Sequence, residues 1–159
     1  MATYSEQMQE IFNKYRVEVS DDPADLRDVA AWAIKEGLWK PRPSDIHARF
    51  AEEMANALRE EYRTDKAGRR YRAKHAVRIS KDGKQLSFWA DIDTAPRGHM
   101  EKAFQQRRRQ IVNDSYHLRI DVDHFNSVYP DDPQLPLVLD FTDDVREMMI
   151  AEGLDDAAE

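Results

Sequence analysis

Residues 70–93 read RYRAKHAVRISKDGKQLSFWADID, and apolar and polar side chains alternate on both sides of the central Asp-Gly pair. A period of two is typical of a strand with one buried face, and Asp-Gly favours a two-residue type I′ turn. The stretch therefore predicts a β-hairpin with strands over 70–79 and 85–93, joined by Asp82 and Gly83. The other regular elements are expected to be mainly helices.

The predicted loop fixes which side chains share a face of the hairpin. The core face is expected to hold four cross-strand pairs: Ala73 with Ile92, His75 with Ala90, Val77 with Phe88, and Ile79 with Leu86. On the opposite face Lys74 lies across from Asp91, and Arg72 lies across from Asp93, which predicts two cross-strand ion pairs. The pairing would leave Arg70 and Arg78 as the strand arginines available to an outside partner.

Helical periodicity lies on both sides of the hairpin. Three amphipathic segments precede it, at 5–16, 24–37 and 44–62, and a long segment follows at about 96–129. Four apolar residues of the long segment recur every seven positions: Phe104, Ile111, Leu118 and Phe125. We therefore expect an α+β, mainly α fold with three N-terminal helices, one antiparallel β-hairpin (about 70–93) and one long helix. A winged-helix-like arrangement is compatible with this order.

An acidic segment follows the predicted long helix. Pro130 and Pro133 end that helix, residues 137–141 favour a short strand, and residues 143–152 favour a terminal helix. The predicted organisation is one helix-rich domain at 1–129, followed by an acidic segment at 130–159 that is either packed on the domain or free.

Composition excludes several classes of protein. The 159 residues include no Cys, which excludes disulfides, thiol catalysis and cysteine-based zinc sites. No run of about 18 apolar residues indicates a membrane span, and the N-terminus lacks the basic and apolar regions of a secretory signal. We therefore expect a cytoplasmic protein without membrane contact.

Charge is distributed very unevenly along the chain. The net charge of −7 comprises −4 over residues 1–64, +8 over 65–111 and −11 over 112–159. A basic centre between acidic ends predicts either a polyanion-binding surface or an internal electrostatic match. The predicted nucleic-acid-binding residues are the unpaired cations of the centre and one aromatic residue: Arg70, Arg78, Lys81, Lys84, Trp89, Arg107, Arg108 and Arg109. The acidic C-terminal segment is expected to shield them when no ligand is bound.

A repeated Asp-x-x-His lies on the long helix. Its members are Asp114, His117, Asp121 and His124, which fall along one flank of a helix. His117, Asp121 and His124 are weak candidates for a metal-dependent site, because no other segment offers a matching set of ligands. Salt bridges to neighbouring arginines are the simpler interpretation, and we predict no metal or other cofactor.

The segment Gln134-Leu135-Pro136-Leu137-Val138-Leu139 resembles the short Gln-Leu-x-Leu-x-Leu peptide by which several bacterial replication and repair proteins bind the sliding clamp. The resemblance covers six residues. It implies that Gln134, Leu135, Leu137, Leu139 and the following Phe141 bind a hydrophobic groove of such a partner. An ordinary strand would explain the same leucines, since they share one strand face.

Catalytic signatures are absent from the sequence: Gly-x-Ser-x-Gly, a Walker loop, Gly-x-Gly-x-x-Gly and His-Glu-x-x-His do not occur. We therefore predict a non-enzymatic regulatory or adaptor protein, DNA-associated through the hairpin and Arg107, Arg108 and Arg109. The alternative is a protein–protein interaction module, either a homodimer through the long helix or a binder of another protein through the long helix or the C-terminal segment. A metal-dependent protein is a distant third.

Overall fold

The computed structural model describes residues 1–154, and over these residues it contains five helices and four strands. The helices are α1 Tyr4–Glu18, α2 Leu26–Lys35, α3 Asp45–Arg59, α4 Arg97–Val128 and α5 Thr142–Ala151. The strands are β1 Tyr62–Thr64, β2 Arg70–Arg72, β3 Lys74–Lys81 and β4 Lys84–Asp91. The predicted α+β, mainly α fold is confirmed.

Contacts divide the chain into two compact units, Met1–Glu52 and Glu53–Glu159. In the first unit, the Thr3 hydroxyl caps α1 by accepting the Glu6 N–H, and the Glu6 carboxylate accepts the Thr3 N–H in return. The α1–α2 contact is centred on Tyr15, whose ring meets Trp32 edge-on at 5.5 Å. Buried side chains of this unit are Tyr15, Val29 and Ala33.

The second unit contains the predicted hairpin, formed by β3 and β4 in the predicted register. His75 is opposite Ala90, and Lys74 is opposite Asp91. Asp82 and Gly83 have φ angles of 52° and 73°. A type I′ turn requires two positive φ angles, which Asp and Gly tolerate better than most residues.

The β structure is more extensive than the single predicted hairpin. Residues 70–72 form β2 and pair with β1, which lies where the third helix was expected to continue. Ala73 joins the two sheets, because its N–H donates to the Glu61 carbonyl and its carbonyl accepts the Ile92 N–H. Ala73 is completely buried, so a larger side chain at this position is expected to overpack the unit and destabilise it.

Helix α4 packs on the hairpin through its first turns. Met100 and Ala103 of α4 are buried in the same unit as Ala73 and Val77. Two polar side chains of α4, His99 and Gln106, also hydrogen-bond to the β3 backbone. The core of this unit is therefore a layer between β3 and the N-terminal part of α4.

The short strand predicted at 137–141 is wrong. These residues form no regular structure, although they precede α5 much as expected. Within residues 1–154 the alternating leucines have no neighbouring strand with which to form a ladder. Leu137 and Leu139 are nevertheless half-buried. The predicted domain boundary between 129 and 130 stays a prediction, and residues 155–159 of the predicted acidic segment lie outside the described residues.

Candidate functional site

An ion-pair network closes the end of the hairpin nearest β1. The Arg63 guanidinium donates to both Asp91 oxygens, at 2.9 and 2.6 Å, and to Asp93 at 2.8 Å. Lys74 Nζ lies 2.8 Å from the same Asp91 carboxylate and 3.7 Å from Glu61. Lys74 is thus paired internally, as its register predicted.

The network keeps its members charged. Hydrogen bonds from Arg63 and Lys74 hold the pKa of Asp91 well below its ordinary value, and the Asp91 carboxylate raises the pKa of both cations. Tyr71 donates its hydroxyl proton to Asp93 at 3.0 Å, and this hydrogen bond raises the pKa of Tyr71. The acids and bases satisfy one another, which favours a stabilising role over a catalytic one.

The predicted ion pair between Arg72 and Asp93 is wrong, because the β3–β4 pairing begins at Lys74 and Asp91 and Arg72 belongs to the other sheet; Asp93 binds Arg63. Arg72 is paired in register with Tyr62 of β1, and its Nε donates to the Tyr62 hydroxyl at 3.3 Å. The Arg70 guanidinium lies 4.4 Å from the centroid of the same ring, at cation–π distance. Tyr62 therefore holds two arginines of β2 on one side of the small sheet.

Arg107 of α4 lies close to this pair. Partial burial lowers the pKa of Arg107, the nearby positive charge of Arg72 lowers it further, and Tyr62 acts in the opposite direction. We call Arg70, Arg72 and Arg107 the arginine cluster. Among residues 1–154, no carboxylate forms a salt bridge with any member of the cluster.

An arginine cluster of this kind is suited to an anion. Like charges held near one another raise the free energy of the folded chain until an anion neutralises them. Guanidinium groups bind phosphate or carboxylate oxygens through two parallel hydrogen bonds, and they keep their charge at all physiological pH values. Three elements of the second unit position the cluster, namely β1 through Tyr62, β2 and α4.

The hairpin tip carries the other predicted cations. Lys81 and Lys84 are cross-strand neighbours beside the turn, and Arg78 is exposed further along β3. None of the three is in a salt bridge within the described part of the chain. They form a second positive region, which lies at the opposite end of the hairpin from the ion-pair network.

The remaining predicted residues are not brought into one surface. Consecutive helical residues point about 100° apart, so Arg107, Arg108 and Arg109 cannot all face the same ligand. Trp89 is half-buried, and the Arg59 guanidinium lies 5.4 Å from the centroid of its ring. One face of the Trp89 ring and one face of the Tyr62 ring are therefore covered by an arginine.

The weak metal candidates do not converge. No group of three or more His, Cys, Asp or Glu side chains suited to a metal ion occurs among residues 1–154. His117, Asp121 and His124 lie exposed along α4, and the His117 ring contacts Tyr116 instead. These three side chains lie along a single helix, which cannot by itself bring enough ligands to one point.

The segment with the clamp-binding resemblance is held in place by α4. The Asn126 amide donates to the Leu135 carbonyl at 3.1 Å and accepts the Leu135 N–H at 2.9 Å. Leu135 is about half exposed, whereas Leu137 and Leu139 are partly covered. Binding of this segment to a sliding clamp stays a prediction, and it would require Leu135 to leave Asn126.

An apolar groove of about 660 Å³ lies between α1 and α2 in the first unit. Its walls include Met8, Phe12, Leu26 and Trp39, and its polar lining consists of the amides Gln9 and Asn13. No titratable side chain lines it, so it has neither an acid nor a base with which to act on a substrate.

Sequence reasoning missed Arg63, Tyr62 and Gln106. The first two lie in a strand of three residues, too short to show alternation, and the helical pattern before them extends through Tyr62. Gln106 lies on a polar side of α4, and only its position beside β3 gives it a role. Spacing along one element does not reveal such contacts between elements.

None of the helices in the described range 1–154 combines the length and the apolar character that crossing a membrane requires. Comparison of the chain with protein-family models, curated proteins and solved structures finds no match.

Proposed function

We propose that this chain is a non-enzymatic regulatory or adaptor protein that associates with DNA by binding the phosphate backbone at the arginine cluster. The observation that carries the proposal is the absence of a carboxylate partner for Arg70, Arg72 and Arg107 within residues 1–154. The whole chain has a net charge of −7 and an excess of acidic residues, so such a cluster is not a consequence of average composition.

The binding mode is contact with phosphates rather than with bases. Two aromatic rings of this unit each have one face covered by an arginine, Tyr62 by Arg70 and Trp89 by Arg59, so these faces cannot stack with a base. Guanidinium–phosphate pairs position a protein on DNA without reading sequence. Arg78, Lys81 and Lys84 at the hairpin tip would extend the contact along the backbone.

The test is fluorescence anisotropy with labelled duplex and single-stranded DNA over a range of salt concentrations. The unaltered chain is expected to bind with an affinity that falls steeply as salt rises, because binding releases counterions. Arg72→Gln and Arg107→Gln should each weaken binding to every sequence alike. Each should also reduce the slope of log affinity against log salt by about one.

Arg69→Gln is the matched control. Arg69 is adjacent to Arg70, but its Nε lies 2.7 Å from Asp65, so its charge is already compensated. The three substitutions change the net charge equally, and only the cluster variants should lose the salt-dependent contact. Loss of affinity in Arg69→Gln equal to that in Arg72→Gln would contradict the site, and no salt-dependent binding by the unaltered chain would contradict the function.

A protein–protein interaction module is the second candidate function. It is favoured by the apolar residues of α4 that the hairpin leaves half-exposed, including Ile111 and Leu118. This candidate does not require the arginine cluster, and it predicts association in the absence of nucleic acid.

A further inference from the structure

An apolar stripe runs along α4 and is about half exposed over its whole length. Its members are the four residues spaced by seven: Phe104 (49% exposed), Ile111 (52%), Leu118 (47%) and Phe125 (49%). At the beginning of the helix Met100 and Ala103 are buried, and the Phe104 ring meets His75 of the hairpin edge-on at 5.5 Å. Apolar residues repeated every seven positions form a seam that suits a second helix.

The half-exposed apolar side chains of α4 leave a surface that a second molecule could cover.

The distribution of charge along α4 indicates which kind of molecule would cover the apolar stripe. Residues 97–109 carry five basic side chains and one acidic side chain, whereas residues 114–128 carry three acidic side chains and one basic side chain. The helix is thus positive in its first half and negative in its second half. A helix with the opposite order of charges would match it, and the same helix running in the reverse direction has that order.

We propose that α4 pairs with α4 of a second copy of this chain, antiparallel, along the apolar stripe. Spacing by seven makes the stripe symmetric about residues 114–115, so Phe104 lies opposite Phe125 of the second copy and Ile111 lies opposite Leu118. Parallel pairing would place like charges together in both halves and is disfavoured. This inference deepens the second candidate function and does not depend on DNA binding.

The first test is the mass of the full chain in solution, measured by light scattering without nucleic acid. The unaltered chain should have twice the mass of 18.6 kDa, and Leu118→Asp should halve it by placing a charge in the seam. Ile120→Asp is the matched control, because Ile120 is equally exposed (47%) but points about 200° away from Leu118 around the helix. Circular dichroism of each variant checks that the helices remain.

The second test uses the absence of Cys to determine direction. In the antiparallel pair Ser115 lies beside Ser115 of the second copy, so Ser115→Cys should form a disulfide-linked dimer under mild oxidation. Phe125→Cys should not, because the two residues 125 would lie about 30 Å apart along the helices. Crosslinking at both positions would show a parallel pair and overturn the proposal. A monomeric unaltered chain, or a monomeric Ile120→Asp variant, would also overturn it.

Discussion

Arg63 is the cation that binds both carboxylates at the open end of the hairpin, Asp91 and Asp93. Its guanidinium donates to both oxygens of Asp91 and to one of Asp93, the residue that the predicted hairpin register had placed opposite Arg72. Arg72 turns to Tyr62 instead. The cations of this region therefore fall into two groups: Arg63 and Lys74 have carboxylate partners, whereas the arginine cluster has none among residues 1–154.

The first prediction concerns acid stability. The pKa of Asp91 is lowered in the folded chain, whereas an unfolded Asp titrates near about 3.9. The stabilising contribution of Asp91 is therefore fully present above about pH 4 and is lost as the pH falls toward the lower folded pKa. We expect Asp91→Asn to lower the unfolding free energy at neutral pH, and the difference from the unaltered chain to shrink below about pH 4.

Urea denaturation at several pH values measures this difference. A gap between the two proteins that stays constant from neutral pH down to about pH 3 would show that Asp91 contributes through packing and not through its charge.

Two side chains of α4 attach this helix to the backbone of β3 by hydrogen bonds. The Gln106 amide accepts the Arg78 N–H at 2.8 Å and donates to the Arg78 carbonyl at 2.9 Å, in the manner of a strand. One heptad earlier, a ring nitrogen of His99 lies 3.0 Å from the His75 carbonyl. The helix thereby satisfies backbone groups of β3 that no strand pairs with, which protects an otherwise open edge.

The second prediction tests this attachment. Gln106→Ala should lower the unfolding free energy by about 1 kcal/mol, because two hydrogen bonds are lost at a site where water can partly replace them. The amide of Arg78 should exchange with solvent faster, as measured by hydrogen exchange with NMR detection. Gln105→Ala removes a neighbouring glutamine for which the structure shows no side-chain hydrogen bond, and it serves as the control. Equal effects in the two variants would mean that helix propensity, not the attachment, explains the change.

At the scale of the whole molecule, the acidic C-terminal region returns toward the basic centre. Leu154 follows α5 and lies beside Gly68, such that a Cβ built on Gly68 would be 3.9 Å from Leu154 Cδ2. Gly68 belongs to the turn that leads into Arg70 and Arg72 of the arginine cluster. The contact brings Leu154, the last described residue of the acidic segment, near the turn that leads into the cations proposed to hold DNA.

The third prediction follows from this contact. A chain that ends at Ala151 loses Leu154 and four acidic residues near or beyond it, and it should bind DNA more tightly than the full chain. Removal of the entire segment 130–159 should also increase the affinity for DNA, provided that the shortened chain folds. Anisotropy at low salt measures the effect, since screening weakens it at high salt. Unchanged affinity after the shorter truncation would exclude competition by the tail.

Elements with a local signal in the chain were predictable without the structure. The β3–β4 register follows from the Asp-Gly turn and the alternation around it, because a period of two together with a two-residue loop allows only one pairing that places Val77 and Phe88 on the same face. The expected core face is buried only near its start, since Val77 is buried whereas Phe88, Ile79 and Leu86 are exposed. The bounds of α4 followed from the long helical period and from the prolines on either side of it. The same register predicted that Lys74 is paired with a carboxylate and that Arg78 is available to an outside partner.

Contacts between elements could not be predicted in this way, because they depend on residues far apart in the chain. β1 has three residues and no pattern of its own, so nothing local indicates that Tyr62 and Arg63 leave the helix to pair with β2 and to reach Asp91. The leucines at 137 and 139 alternate as in a strand, yet no strand of residues 1–154 lies beside them. In both cases the outcome depends on what lies across space, and a period along one segment carries no information about the neighbour that satisfies its hydrogen bonds.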